Sequence, residues 1–377
     1  MHSKERNYFR TMKRRNFILA GSALGAGAFF APDFPWIRVP KKIDRKWGIA
    51  LVGLGYYSTD LLAPALQMTK HCQLKGIVTG SPDKARQWQM KYNLDDKNIY
   101  NYQSFDQIAN NPDIDVIYVV LPPSMHEEYV VRAAKAGKQV MCEKPMAVHA
   151  SECQNMIDAC TSNKVSLAIG YRMHHEANTK DIMQLAISRP YGKIKQLSAQ
   201  AGYVDNRTTH WKQVKALGGG CMLDMGVYPL NAVRYATGLE PIAVHKAVAS
   251  TTRPEIYKEV EETMNFDLEF PGGIMASCKT SFGENMNTLQ VDCENGWYKM
   301  NPFQGYSGNQ FTTSDGKLNN KDIQLKTPYL QARQMDGDVL AMKNKTSLIA
   351  PGEEGLKDIM IVEAIKKSAA TGQRVTF

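Results

Sequence analysis

Three side chains have the types and settings for acid–base chemistry on a carbinol carbon: Lys144, Asp224 and Tyr228. Moving a hydride to or from such a carbon requires a group that carries the hydroxyl proton. It also requires positive charge beside the developing alkoxide. Lys144 can supply that charge and lower the proton affinity of a neighbouring phenol. Tyr228 can carry the proton, and Asp224 can orient the substrate hydroxyl. Lys144 follows the run Gln139-Val140-Met141-Cys142-Glu143, and Pro145 restricts it to an extended conformation. At the carboxyl end of a strand it would face the crevice where open α/β sheets bind ligands. Asp224 and Tyr228 follow the glycine run 218–220, and their i, i+4 spacing puts them on one helical face. Each residue also has a plainer reading. Lys144 could stand in solvent beyond a strand that a proline ends, Asp224 could answer a helix dipole, and Tyr228 could pack in a core.

Positioning these groups calls for a sheet with a crevice. Residues 47–53 read as a buried parallel strand running into Gly53-Leu54-Gly55-Tyr56-Tyr57-Ser58 and a helix over 59–69. Gly53 permits the tight turn, and Gly55 lets the backbone approach a pyrophosphate at the helix N-terminus. Ser58 stands where a third glycine is usual. The second strand, 73–79, ends in Thr79-Gly80-Ser81, with Lys84 just beyond. Hydroxyls and a lysine there suit a ribose 2′-phosphate, whereas an acid would repel it, so NADP is preferred; Asp83 is the residue that argues otherwise. A third buried strand over 115–121 ends at Leu121-Pro122, with His126 opening the helix 127–136. His126 reads as a local cap more readily than as a catalyst. A helix over 150–161 and a strand over 165–170 lead to Arg172, which would hold substrate or cofactor or pair with an acid between domains. The cofactor surface therefore comprises the turn from Gly53 to Tyr57, Thr79 to Ser81, Lys84, Leu121, Pro122, His126, Glu143, Lys144 and Arg172.

The second half changes character. Segments 194–204, 242–251, 261–270, 273–282 and 288–300 read as strands, with a tight turn at Phe270-Pro271-Gly272-Gly273. Helices are expected over 329–343 and 354–371. The fold class is α/β: an N-terminal Rossmann-type doubly wound parallel sheet over 46–167, then a C-terminal α+β domain over 168–377 built on a large open, mostly antiparallel sheet. Such a sheet has one face for helices and one that a second subunit could cover, so a dimer or tetramer is expected.

Bulk properties narrow the field. Of the net charge of +9, residues 1–28 contribute Lys4, Arg6, Arg10, Lys13, Arg14 and Arg15 against Glu5; removing that +5 leaves +4. No basic stripe interleaved with aromatics points to nucleic acid. The 7 cysteines form no Cys-x-x-Cys pair and the 8 histidines no metal-ligand spacing, so neither a disulfide framework nor a metal is expected. Arg14-Arg15-Asn16-Phe17-Ile18 precedes an apolar stretch rich in Gly and Ala, which reads as a twin-arginine export signal over 1–28 and a periplasmic protein. The proline-rich stretch 29–45 reads as a linker or as an arm on a neighbouring subunit. No membrane span is expected in the mature chain.

Gly53-Leu54-Gly55, Glu143-Lys144-Pro145 and Gly218-Gly219-Gly220-x-x-x-Asp224-x-Gly226-x-Tyr228 resemble the Gfo/Idh/MocA oxidoreductase family, from about residue 46 to the end. Many members have His where Tyr228 stands. Tyrosine there, with Cys142 to Met146, Gly170-Tyr171-Arg172, Thr79-Gly80-Ser81 and 351–355, is similar to the glucose–fructose oxidoreductase branch. The resemblance implies tightly held NADP, catalytic Lys144 and Tyr228, sugar substrates and association through the open sheets. Lys212 after Trp211 stands where that branch leads one to expect Arg. Export fits a retained cofactor, because free NADP is not recycled outside the cytoplasm. The expected reaction oxidises an aldose to a lactone and reduces a second sugar to an alditol. The alternatives are a retained-cofactor glycosidase of the same superfamily and an exported, non-catalytic sugar-binding protein.

Overall fold

The computed structural model describes residues 45–316 and 321–377. The expected export signal, and the proline-rich arm apart from Arg45, lie outside the described residues. Six strands form the first sheet: β1 (Trp47–Val52), β2 (Cys72–Val78), β3 (Ile99–Tyr100), β4 (Val116–Val119), β5 (Gln139–Cys142) and β6 (Leu167–Ile169). Their order is β3-β2-β1-β4-β5-β6, and every pair is parallel. The order reverses between β1 and β4, so the loops after those two strands diverge and leave a crevice. β1 and β4 are apolar on both faces because helices cover both, as parallel sheets require.

The helices of this layer are α1 (Ala63–Leu66), α2 (Pro82–Tyr92), α3 (His126–Lys135) and α4 (Ala150–Ser162). The helix expected over 59–69 is shorter and begins as a wide π-helical turn, Tyr57–Leu62, that passes into α1 at Pro64. Pro64 has no N–H to continue the regular ladder, so the chain changes winding there.

The second sheet holds β7 (Ile194–Gly202), β8 (Ala243–Ser250), β9 (Thr263–Phe270), β10 (Ile274–Ser281), β11 (Met286–Cys293), β12 (Gly296–Met300), β13 (Phe311–Thr313) and β14 (Val375–Thr376). Its order is β13-β12-β11-β7-β10-β9-β8-β14, antiparallel except for the β7–β10 pair. The single strand expected over 288–300 is a hairpin of β11 and β12. Asn295-Gly296 is the turn dipeptide that marks it. One face buries Leu197, Ala199 and Ala201 of β7 with Leu289 and Val291 of β11. The opposite face carries Ser198, Gln200, Lys246, Asn265 and Ser277, which are exposed in this chain.

Four helices complete the chain: α5 (Ala177–Ser188), α6 (Val227–Thr237), α7 (Tyr329–Asn344) and α8 (Gly352–Thr371). No helix was expected at α5, whose start is capped by Glu176 accepting from the Thr179 N–H at 2.6 Å. The domain boundary expected at 167/168 falls inside β6, which pairs with β5 through Ile169. The C-terminal helices also return to the first sheet. Ala332, Met335, Val339 and Met342 of α7 pack with Leu62, Leu66, Ile77 and Tyr118. At roughly 1.5–3 kcal/mol for each fully buried large apolar side chain, this seam binds α7 firmly to the first sheet. Among the described residues no helix is long and apolar enough to cross a membrane, and no cluster of three or more candidate metal ligands occurs.

Candidate active site

A cavity of about 540 Å³ opens where the strand order reverses. Its first wall is the turn after β1. Gly53 has φ +91°, and a side chain there would overlap the Val120 carbonyl oxygen, so only glycine lets β1 and β4 approach so closely. A Cβ on Gly55 would meet nothing within 4 Å: this backbone faces open space, the room a dinucleotide phosphate requires. Ser58 is buried and donates to the Gly53 carbonyl at 2.6 Å, so it locks the turn as well as being small.

The ribose end follows from β2. Thr79 Oγ1 accepts from the Ser81 N–H at 3.2 Å, and Ser81 caps α2 by accepting from the Lys84 N–H at 3.3 Å. Lys84 reaches back to donate to the Leu54 carbonyl at 3.3 Å, which places its ammonium beside the glycine turn. Gly80 lies against the Tyr102 ring. Asp83 is 78% exposed, pairs with Arg86 and is absent from the cavity wall.

Lys144 enters from the carboxyl end of β5, through a cis Lys144–Pro145 peptide. Its Nζ donates to the Asp224 carbonyl at 2.7 Å, lies 3.8 Å from the Asp224 carboxylate and stands 4.6 Å from the centre of the Tyr228 ring. The two halves of the chain thus meet at the three residues singled out from the sequence. Asp224 sits in a π-helical turn, Met222–Gly226, and Tyr228 in the first turn of α6. The approach needs its glycines. Gly220 has φ +106°, and a side chain there would strike Glu261, whose carboxylate accepts from the Met222 N–H at 3.0 Å.

Asp224 is held by more than Lys144. Lys212 donates to its Oδ2 at 2.6 Å and the Tyr203 hydroxyl to the same oxygen at 3.3 Å. Burial pushes the Asp224 carboxyl up, but Lys212, Lys144 and these hydrogen bonds outweigh it and leave the pKa below the ordinary value. Lys212→Met is therefore expected to raise the Asp224 pKa. The acid limb of kcat/KM then moves to higher pH, and the value at neutral pH falls by about tenfold or more. A pH profile of kcat/KM with an unmoved acid limb would show that Lys212 does not govern the Asp224 charge.

Leu54, Tyr56, Tyr57, Leu121, Pro122 and Glu143 all line the cavity. Three expected cofactor contacts do not line it: Gly80, which lies against Tyr102, and His126 and Arg172, which stand behind it. His126 is buried, with Nδ1 3.0 Å from the Pro145 carbonyl and Nε2 2.8 Å from that of Leu121. It struts the loops after β4 and β5, and burial keeps its pKa below the ordinary value although the facing carbonyls oppose this. Arg172 is fully buried and donates to the carbonyls of Gly305, at 2.8 Å, and Gln304. Its guanidinium lies 5.4 Å from the Tyr228 ring centre and 4.6 Å from that of Tyr306, so it backs the phenols rather than facing a ligand. Tyr306, Arg207, His210 and Trp211 line the cavity without having been expected from the sequence. Tyr203, just beyond the end of β7, was findable by the same strand-end rule that located Lys144. Tyr306 lies on an irregular loop with no local signal.

A glycine turn at a topological switch point, open to a cavity whose far side holds a lysine, a carboxylate and a phenol, defines a dinucleotide-dependent oxidoreductase. The chain belongs to the Gfo/Idh/MocA family. Residues 47–171 match its oxidoreductase domain with NAD-binding Rossmann fold, and residues 180–299 match a Gfo/Idh/MocA C-terminal domain. The chain is 26% identical over 343 residues to D-xylose 1-dehydrogenase [NADP(+)] of Haloarcula marismortui, covering 88% of this chain and 93% of that one. Aldose-aldose oxidoreductase from Caulobacter crescentus, solved with glycerol, superposes with a TM-score of 0.84 at 35% identity, over 88% of this chain and 100% of the other. The apo scyllo-inositol dehydrogenase from Lactobacillus casei shares the fold, with a TM-score of 0.73 at 16% identity over 88% and 98% of the two chains.

Proposed function

We propose that this protein is an exported, NADP-dependent sugar oxidoreductase that retains its cofactor, oxidising an aldose to a lactone and reducing a second sugar to an alditol. The observation that carries this reading is the convergence of Lys144, Asp224, Tyr228 and Lys212 on the cavity that begins at the glycine turn. The sugar class is supported by the substrates named for the xylose dehydrogenase and the aldose-aldose oxidoreductase. Preference for NADP is supported by Thr79, Ser81 and Lys84 on the wall, with Asp83 turned away.

Retention is supported by the roof. Arg207, His210, Trp211 and Lys212 come from the second half of the chain and face the same cavity as Gly53 to Tyr57. The base of this segment is tied down, since Arg253 and the Tyr257 hydroxyl both donate to the Asp205 carbonyl, at 3.0 and 2.9 Å. The paired arginines Arg14-Arg15 support export to the periplasm. The uncovered polar face of the second sheet supports a homo-oligomer.

Bound NADP would supply the hydride acceptor for one half-reaction and the donor for the other. The chain's own residues govern the proton. Tyr228 takes the proton from the aldose C1 hydroxyl and returns one to the second sugar. Lys144 stabilises negative charge on the phenolic and substrate oxygens, and Asp224 accepts a hydrogen bond from a neighbouring sugar hydroxyl.

Denatured purified protein is expected to release about one NADP per chain by mass spectrometry, a stoichiometry that tight retention requires. Adding an aldose to the native protein should develop the reduced-nicotinamide absorbance, and a second sugar should bleach it. Protein that lacks nucleotide and turns over only with added NADP would overturn retention.

A further inference from the structure

Beside Lys144, a line of buried polar groups runs from Glu143, on the cavity wall after β5, back to helix α7. Glu143 is buried, and its two oxygens are both engaged. Oε2 accepts from the Lys144 N–H at 3.2 Å, and Oε1 accepts from the Tyr118 hydroxyl at 2.6 Å. The Tyr118 oxygen in turn accepts from Gln334 Nε2 at 3.1 Å. Tyr118 and Gln334 are both wholly inaccessible to solvent. We propose that Gln334 and Tyr118 are positioning residues for the reaction, holding Glu143 fixed so that it sets the backbone of Lys144 at the cavity.

The chemistry of the donors makes the line directional. A phenol has one proton, and the Gln334 N–H occupies the phenolic oxygen, so the Tyr118 proton is committed to Glu143. A carboxylate that accepts hydrogen bonds keeps its charge more readily than one buried without them. Glu143 has little freedom to leave: Gly170 packs so closely that a Cβ there would come within 2.7 Å of Oε1. The titratable and charged groups around Glu143 are Tyr118 on β4, Tyr57 in the first turn, its neighbours Cys142 and Lys144, Arg172 after β6 and Tyr306. Burial raises the Glu143 pKa, and Tyr118, Lys144 and Arg172 oppose it. A bare structural role would be met as well by an apolar residue, since replacing a buried polar group together with its partner is often nearly neutral. What an apolar residue cannot do is accept the Lys144 N–H and place a negative charge beside two cations.

The inference rests on the oxidoreductase reading above, and the experiment separates the two. Nucleotide content, kcat and KM for the sugar, the pH profile of kcat and the melting temperature are measured for the full chain, for Tyr118→Phe, for Gln334→Met and for the double variant. Tyr118→Phe removes a donor to the carboxylate, so the Glu143 pKa rises and the acid limb of kcat moves up by about one pH unit. It should also lower kcat by about tenfold with KM within about twofold, because misplacing a reacting group costs rate rather than binding. Gln334→Met shifts both in the same direction by less. The double variant leaves no amide unpaired but still leaves Glu143 Oε1 without its donor, so it recovers part of the melting temperature lost in Tyr118→Phe without recovering kcat. Native kcat and pH profile in the single variants would overturn the proposal, as would a double variant whose rate recovers with its stability. Native protein with neither bound nucleotide nor a sugar-dependent nicotinamide signal would instead overturn the oxidoreductase reading.

Discussion

Lys144→Met is expected to lower kcat by about 10³-fold or more while leaving the fold and the bound nucleotide in place. Methionine is close in length and apolar, so it fills the space that the lysine stem occupies. The fold survives because Asp224 keeps its shorter contact, to Lys212 at 2.6 Å, when the 3.8 Å contact to Lys144 is lost. What disappears is the only ammonium within reach of both the Asp224 carboxylate and the face of Tyr228 among the described residues. Preorganised charge of this kind is worth about 10²–10³ in rate, and assistance to proton transfer adds about 10². Lys144→Arg retains charge but not shape, because a planar guanidinium cannot occupy the point position of an ammonium, so little rate should return. Single-turnover reduction of the bound nucleotide by an aldose measures the effect without product release. A variant within tenfold of native would remove Lys144 from the chemistry.

Tyr228→Phe is expected to lower kcat by about 10²–10⁴, the range for losing a positioned acid–base group. The substitution is unusually clean. It keeps the ring, and with it the contacts of Lys144 at 4.6 Å and Arg172 at 5.4 Å from the ring centre. The melting temperature should therefore change little, and an aldose should still raise it by binding. Combining Tyr228→Phe with Lys144→Met should cost about as much as the worse single change, because the two residues act as a unit. Multiplicative losses in the double variant would mean that they act on separate steps.

Lys144 and Tyr228 are legible in the sequence because their local settings are strict. A lysine between a buried strand and a proline has one direction to go, and a helix that starts after three glycines presents i and i+4 together. His126 and Arg172 show where that reasoning weakens. Both lie at strand ends, where the crevice rule would aim them at a ligand. His126 faces the Leu121 carbonyl of its own loop with one ring nitrogen and the Pro145 carbonyl of the loop after β5 with the other, and Arg172 donates to carbonyls more than a hundred residues away. A polar residue at a strand end goes wherever its strongest partners are, and those partners are not all local. The hairpin of β11 and β12 is hidden for a simpler reason: strong β-forming residues on both sides of Asn295-Gly296 mask the turn.

By itself the sequence determined the main buried strands of the first sheet, the glycine turn and three candidate side chains for the chemistry. Those depend on periodicity, on turn chemistry and on neighbours within a few residues. Only the tertiary structure decided which further groups reach the site. Lys212 reaches Asp224 across 12 residues, Lys144 reaches it across 80, and Gln334 reaches Tyr118 across 216. Lengths of chain such as these carry no local signal. They close because α7 buries its apolar face on the first sheet, and because the second sheet sets α6 against the crevice.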